Sequence, residues 1–178
     1  YEARSAEAVL AAVEETGFSN GRLVRVDGEG DGISFSDLRR DTPYRGPAPD
    51  NDGNICLMLY TSGTTGRPKG VPRSHTAERN ASLGCVAQLH YTYGDVCLGV
   101  MPLFHTMGIR SLMMSAILNG TFVCMPAYNT ETALTLIGQE KITSLFLVPT
   151  MFHDIVHRTD LAAFDLCSVS NIAYAGMS

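Results

Sequence analysis

Residues Tyr60 to Gly70 read Tyr-Thr-Ser-Gly-Thr-Thr-Gly-Arg-Pro-Lys-Gly, and these side chains suit a chain of phosphates. Thr61, Ser62, Thr64 and Thr65 offer hydroxyl donors. Gly63, Gly66 and Gly70 let backbone N–H groups turn toward an anion, and Lys69 supplies positive charge. The apolar run Ile55-Cys56-Leu57-Met58-Leu59-Tyr60 ahead of them predicts a buried strand. A strand that feeds a donor-rich turn ending on a cation is a device for gripping a polyphosphate.

The common nucleotide loop has a different geometry: Gly, four residues, Gly-Lys-Ser/Thr, then a helix whose N-terminus faces the phosphates. Here Pro68 precedes Lys69 and Pro72 follows it. Proline disfavours α conformation in the residue before it, so Arg67 and Val71 are expected to be extended and the helix to begin later.

Three further stretches carry candidate chemistry. Pro102-Leu103-Phe104-His105-Thr106-Met107-Gly108 follows a strand-like run, which puts His105 where α/β sheets bind ligands. Phe146 lies in the run Ser144–Val148 and reads either as a pocket wall or as a plain core aromatic. Ala175 and Gly176 end another strand-like run, and their small size leaves room for close approach. His153 and His157 share the i, i+4 spacing of zinc proteases. Asp154 stands where the general-base Glu belongs and no third ligand is evident, so this is read as a solvated helix face and no metal ligand is assigned.

The elements that must position these residues alternate. A helix is expected over Ser5–Glu15, with Ser5 as a cap and Gly17 as a stop. A short strand follows over Arg22–Asp27, then a Gly-, Asp- and Pro-rich connection over Gly28–Asn54 with a helical turn near Phe35–Arg40. After the donor-rich turn, a helix capped by Ser74 or Thr76 runs to about Tyr91, with Ala77, Ala81, Leu83, Val86 and Leu89 toward the core. Strands at Val96–Met101, Thr121–Met125, Ser144–Val148 and Asn171–Ala175 then alternate with helices at Ile109–Leu118, Thr130–Gln139 and Thr150–His157. Such an order predicts an α/β fold, a mostly parallel sheet flanked by helices.

Bulk properties narrow the function classes. The 178 residues are 45% apolar and 17% charged, the balance of a globular domain. A net charge of −5 without a basic run argues against nucleic acid or an anionic membrane as partner. No apolar stretch reaches the roughly 18 residues of a membrane span, and no signal peptide is visible. The five cysteines, Cys56, Cys85, Cys97, Cys124 and Cys167, are scattered mostly in apolar runs and predict reduced core thiols in a cytoplasmic protein. The start at Tyr1 and the end just after a strand-like run predict a piece of a longer polypeptide.

The string Thr61-Ser62-Gly63-Thr64-Thr65-Gly66-x-Pro68-Lys69-Gly70 resembles the signature loop of the AMP-forming acyl-CoA synthetase superfamily, the adenylate-forming ligases. Pro102 to Gly108 resembles that superfamily's Pro-Leu-Phe/Tyr-His-x-x-Gly motif. Residues 96–120 and 131–156 look closest to aryl-CoA ligases of the 4-chlorobenzoate–CoA ligase kind. The resemblance implies part of an N-terminal domain. Residues 1–53 would be a partial N-terminal subdomain with its connection, residues 54–178 a partial nucleotide- and acyl-binding subdomain, and the C-terminal domain would be absent.

The resemblance further implies a two-step reaction on a small carboxylic acid, with ATP, Mg²⁺ and coenzyme A as partners. Thr61, Ser62, Gly63, Thr64, Thr65, Gly66 and Lys69 would hold the phosphates, and Ala175 and Gly176 would lie near the adenine. His105, supported by Phe104, would position the carboxylate or gate the acyl site. Thr106, Met107, Phe146 and Ala175, with Gly84, would form an apolar pocket for a benzoate-like ring or a medium aliphatic chain. Because the family's later motifs are missing, the 178 residues alone are expected to catalyse neither step. Three alternatives stay open: a carrier-protein-loading adenylation domain, a non-catalytic nucleotide-binding module, and a structural fragment whose loop is vestigial.

Overall fold

The computed structural model describes residues 1–18, 23–39, 45–46, 53–61, 67–158 and 160–176, and divides into two compact units, Tyr1–Asp50 and Asn51–Ser178. In the first unit, α1 (Ala6–Thr16) ends at Gly17, whose φ of 66° places it in the left-handed region while its N–H bonds to the Val13 carbonyl. Ser5 occupies the N-cap position without a side-chain capping bond. Two short strands, β1 (Val24–Arg25) and β2 (Ile33–Ser34), pair in parallel.

The second unit opens with an antiparallel hairpin, β3 (Ile55–Thr61) and β4 (Lys69–Ser74). Then come α2 (His75–Gln88), β5 (Val96–Gly99), α3 (Thr106–Ile117), β6 (Thr121–Cys124), α4 (Thr130–Gln139), β7 (Ser144–Leu147), α5 (Pro149–Arg158) and β8 (Asn171–Tyr174). The last four strands form one all-parallel sheet in the order β6-β5-β7-β8. The chain thus steps from β5 outward to β6, then crosses back to place β7 on the other side of β5. That reversal makes a topological switch point between β5 and β7, and ligands bind at the carboxyl ends of strands at such a point.

The two central strands, β5 and β7, are buried on both faces, and the strand period of two sorts their side chains. Leu98 of β5 and Leu145 and Leu147 of β7 join Ala133, Leu134 and Ile137 of α4 and Ile155 of α5 in one cluster. Phe146 and Ala173 turn the other way and meet Met107 and Met114 of α3, Tyr91, and the Cys85, Val86 and Leu89 side of α2. No helix among the described residues is long and apolar enough to cross a membrane.

Several expectations are corrected. The run Ile55–Tyr60 is a strand but not a buried one: Ile55 is 62% and Tyr60 70% exposed, and Leu59 alone of the strand is fully buried. Among the described residues it pairs with β4 only, and its Cys56, Met58 and Tyr60 face is exposed. Of the stripe expected on the interior face of α2, Val86 and Leu89 pack inward, and Ala77 and Leu83 do not. Ala77 and Leu83 are exposed, while Glu78 and Ser82 are buried, because both face the guanidinium of Arg110 on α3. Of the five free cysteines, Cys56, Cys124 and Cys167 are exposed and Cys97 is the buried one. Burial pushes the Cys97 thiol up to about 11.

Two packing features generate predictions. Gly108, in the first turn of α3, lies so close to the preceding turn that a Cβ would sit 2.2 Å from the Pro102 carbonyl oxygen and 2.4 Å from that of Met101. Gly108→Ala must therefore push the helix start off β5, and thermal unfolding should report a loss of about 1–3 kcal/mol. Tyr91 is 7% exposed and its hydroxyl has no hydrogen-bond partner among the described residues, burial driving its pKa well above the phenol range. Tyr91→Phe removes an unpaired buried hydroxyl, and its unfolding midpoint should stay equal or rise, by about 1 kcal/mol in stability.

Candidate active site

The hairpin holds the two ends of the donor-rich turn side by side. Thr61 pairs with Lys69 and Tyr60 with Gly70 in the antiparallel register, so the chain leaves at Thr61 and returns at Lys69 across one ladder rung. Ser62, Gly63, Thr64, Thr65 and Gly66 lie outside the described residues. Thr61 and Lys69 are both exposed, one hydroxyl and one cation at the mouth of the turn.

Pro72 acts as its chemistry requires. From Lys69 to Ser74 the chain is extended, including Val71 before Pro72, and α2 starts only at His75. Ser74 caps it, its hydroxyl accepting the Ala77 N–H at 3.2 Å. The residues that flank the turn, Thr61 and Lys69, therefore belong to a strand ladder, with the helix beginning six residues after Lys69.

His105 sits at the second candidate position, past the carboxyl end of β5. It is the N-cap of α3, and its Nδ1 accepts the Met107 N–H at 3.3 Å. That bond occupies Nδ1 and leaves the exposed imidazole's Nε2 as the group able to face a ligand. Gly108 allows this turn to pack tightly against the chain leaving β5. Phe104, expected to support His105 by packing, is instead 79% exposed; the support comes from backbone contact at Gly108.

Of the residues expected to form the acyl pocket, the structure brings Met107, Phe146 and Ala175 into a single apolar group with Tyr91, Met114 and Ala173. Met107 and Phe146 are 6% and 7% exposed, so both are well-packed walls as the chain stands here. Thr106 is exposed beside His105. Gly84 does not belong to the group: it is on the open side of α2, where an added Cβ would meet nothing within 4 Å. Gly176 follows β8 with φ 97°, a conformation that L side chains rarely adopt.

Sequence reasoning missed the residues between these two positions. Glu78 on α2 is 3% exposed and ion-pairs with Arg73 of β4 and, at 3.6 Å, with Arg110 of α3. Arg110 Nη1 also donates to the Glu78 carbonyl and to Ser82 Oγ, both at 3.1 Å. Read singly, these are ordinary charges on ordinary helices; the one available signal was a Glu and an Arg falling on the otherwise inward faces of two consecutive helices. His153 and His157 stack with ring centroids 4.5 Å apart, and the described residues contain no group of three or more His, Cys, Asp or Glu able to hold a metal.

Comparison with known proteins gives this geometry a context. The 4-chlorobenzoate–CoA ligase of Pseudomonas sp. is 32% identical over 133 residues, covering 73% of this chain and 25% of that ligase. The luciferase-like enzyme of the nonluminescent mealworm Zophobas morio superposes with a TM-score of 0.84 at 19% identity, over 99% of this chain and 41% of its own, which is a likeness of fold. ATP-bound MatB from Rhodopseudomonas palustris aligns with a TM-score of 0.55 at 29% identity, over 62% of this chain and 22% of its own. The chain thus spans about a quarter of the curated ligase it matches. The AMP-binding enzyme description matches residues 3–178, which takes in both the hairpin and the histidine turn, and the chain belongs to that family.

Proposed function

We propose that the protein containing these residues activates a carboxylic acid with ATP and passes the acyl group to coenzyme A. In the first step a carboxylate oxygen bonds to the α-phosphorus of ATP and pyrophosphate leaves. In the second, the coenzyme A thiol gives up its proton, its sulfur bonds to the acyl carbon, and AMP leaves. The observation that carries the reading is the Thr61–Lys69 rung, which closes the signature turn on a cation at its return end.

The chemistry needs little more than placement and charge. Two anions must approach, and negative charge grows on the departing pyrophosphate. Lys69 and the donors of Thr61 to Gly66 stabilise that charge where it develops. Nε2 of His105 orients the carboxylate, with Thr106 beside it. Met107, Phe146 and Ala175 take the apolar part of the acid, and the Ala175-Gly176 backbone faces the adenine. No protein nucleophile is required, because the substrate carboxylate is one.

Mg²⁺ would arrive with the triphosphate and share in neutralising its charge. An aromatic acid is the favoured substrate class, supported by the likeness to 4-chlorobenzoate–CoA ligase. Residues 54–178 would form part of the nucleotide- and acyl-binding subdomain, with residues 1–53 outside it.

Pyrophosphate exchange into ATP, measured on the full-length protein against aromatic and aliphatic acids, tests this. Exchange should depend on the acid, and Lys69→Ala should lower it about 10²–10³-fold. Acid-independent exchange, or an unchanged Lys69→Ala, would refute the reading. The 178 residues alone should show no turnover, and acyl transfer should go to coenzyme A in preference to a phosphopantetheine carrier protein.

A further inference from the structure

The buried carboxylate of Glu78 has no evident part in the chemistry, yet it touches the two elements that carry it. One contact is Arg73, four residues along β4 from Lys69; the other is Arg110, on the helix that His105 caps. The Glu78 side chain is 4% exposed and that of Arg110 7%. Charges so buried must be paired. We propose that Glu78 is a positioning residue: by holding Arg73 and Arg110 together it sets the placement of the phosphate-binding hairpin against the helix that begins at His105. This rests on the function proposed above for those two elements.

Three observations support it. First, the apolar contact beneath the hairpin is incomplete. A cavity of about 210 Å³ lies between the hairpin and the two helices, lined by Cys56, Leu57, His75, Glu78, Ile109 and Met113. Close packing therefore does not by itself locate β4 over α2 and α3. Second, the carboxylate oxygens are met by the two guanidinium groups and by no other donor among the described residues, so the link is made by charge. Third, Arg110 is itself fixed, since Nη1 donates to the Glu78 carbonyl and to Ser82 Oγ. Both acceptors lie on α2, so the Arg110 guanidinium is tied to that helix besides its pairing with the Glu78 carboxylate.

The consequence is specific to one half of the reaction. Adenylation needs the phosphates and the carboxylate in register at once; transfer from a supplied acyl-adenylate to coenzyme A does not need the β- and γ-phosphate grip. A role limited to stability would affect both halves alike, in proportion to the folded fraction.

The experiment uses the full-length protein and two variants, Glu78→Gln and the double Glu78→Met/Arg110→Met, which replaces the central pair by apolar side chains and should fold because no unpaired charge is left between α2 and α3. In the double variant, acid-dependent pyrophosphate exchange should fall in kcat by about tenfold or more, while coenzyme A transfer from synthetic acyl-adenylate stays within about twofold. Amide hydrogen exchange across residues 69–74 should quicken by about tenfold, with β5 to β8 unchanged. Glu78→Gln should shift both readouts in the same directions.

A folded double variant with wild-type hairpin protection and wild-type adenylation would overturn the proposal. The hydrogen-exchange arm decides it even if the wild-type protein exchanges pyrophosphate with no acid, a result that would instead defeat the function proposed above.

Discussion

A parallel sheet whose strands are four residues long presents apolar side chains on both faces and cannot stand unless helices cover each. That constraint places nearly everything else. Leu145 and Leu147 demand cover on the α4–α5 side and Phe146 on the α2–α3 side. To provide that cover, α3 must carry the chain from the carboxyl end of β5 back to the start of β6, so its N-terminus has to lie at the carboxyl end of the sheet. His105, as its cap, is delivered there by connectivity. Gly108 is the local concession: the helix start fits against the Pro102 and Met101 carbonyls only without a Cβ.

Much of this was legible in the chain, and the reasons differ by element. Helix α4 matched its expected bounds, Thr130–Gln139, because its apolar spacing is regular and Asn129 is a strong cap, accepting the Thr132 N–H at 2.9 Å. The extended course of β4 and the late start of α2 followed from Pro72 acting on Val71. The burial of β3 was misread because an apolar run of six residues looks the same in a central strand and in a two-stranded hairpin; only the identity of the partner separates them. The N-terminal half of the α2 face was misread for a related reason, while Val86 and Leu89 pack inward as expected. Alanine and leucine spacing marks a helix face only when burial is apolar, and here Glu78 goes inward because an arginine 32 residues later meets it.

The two candidate positions are consequently held by different physics. His105 is located by a capping bond, a packed glycine and the apolar group around Met107 and Phe146, all tied to the sheet. Lys69 is located by a ladder rung on a hairpin outside that sheet, with only Leu59 of β3 fully buried. Apolar burial is non-directional and scales with area. One buried leucine therefore retains the hairpin without fixing where it points.

Direction has to come from groups that interact through geometry, and the hairpin meets the helices in this way at Ser74, whose hydroxyl accepts the Ala77 N–H, and at Arg73. Arg73's partner Glu78 stands in the first turn of α2, where the helix dipole favours negative charge. The second arginine then completes the charge balance from α3, and neither helix can shift along the hairpin without uncovering a buried charge. A device of that kind tolerates the cavity beside it, since ion pairs fix position where packing is loose. The two ends of β4 are thus held differently: Lys69 by a strand ladder to Thr61, and Arg73 by a buried carboxylate on α2.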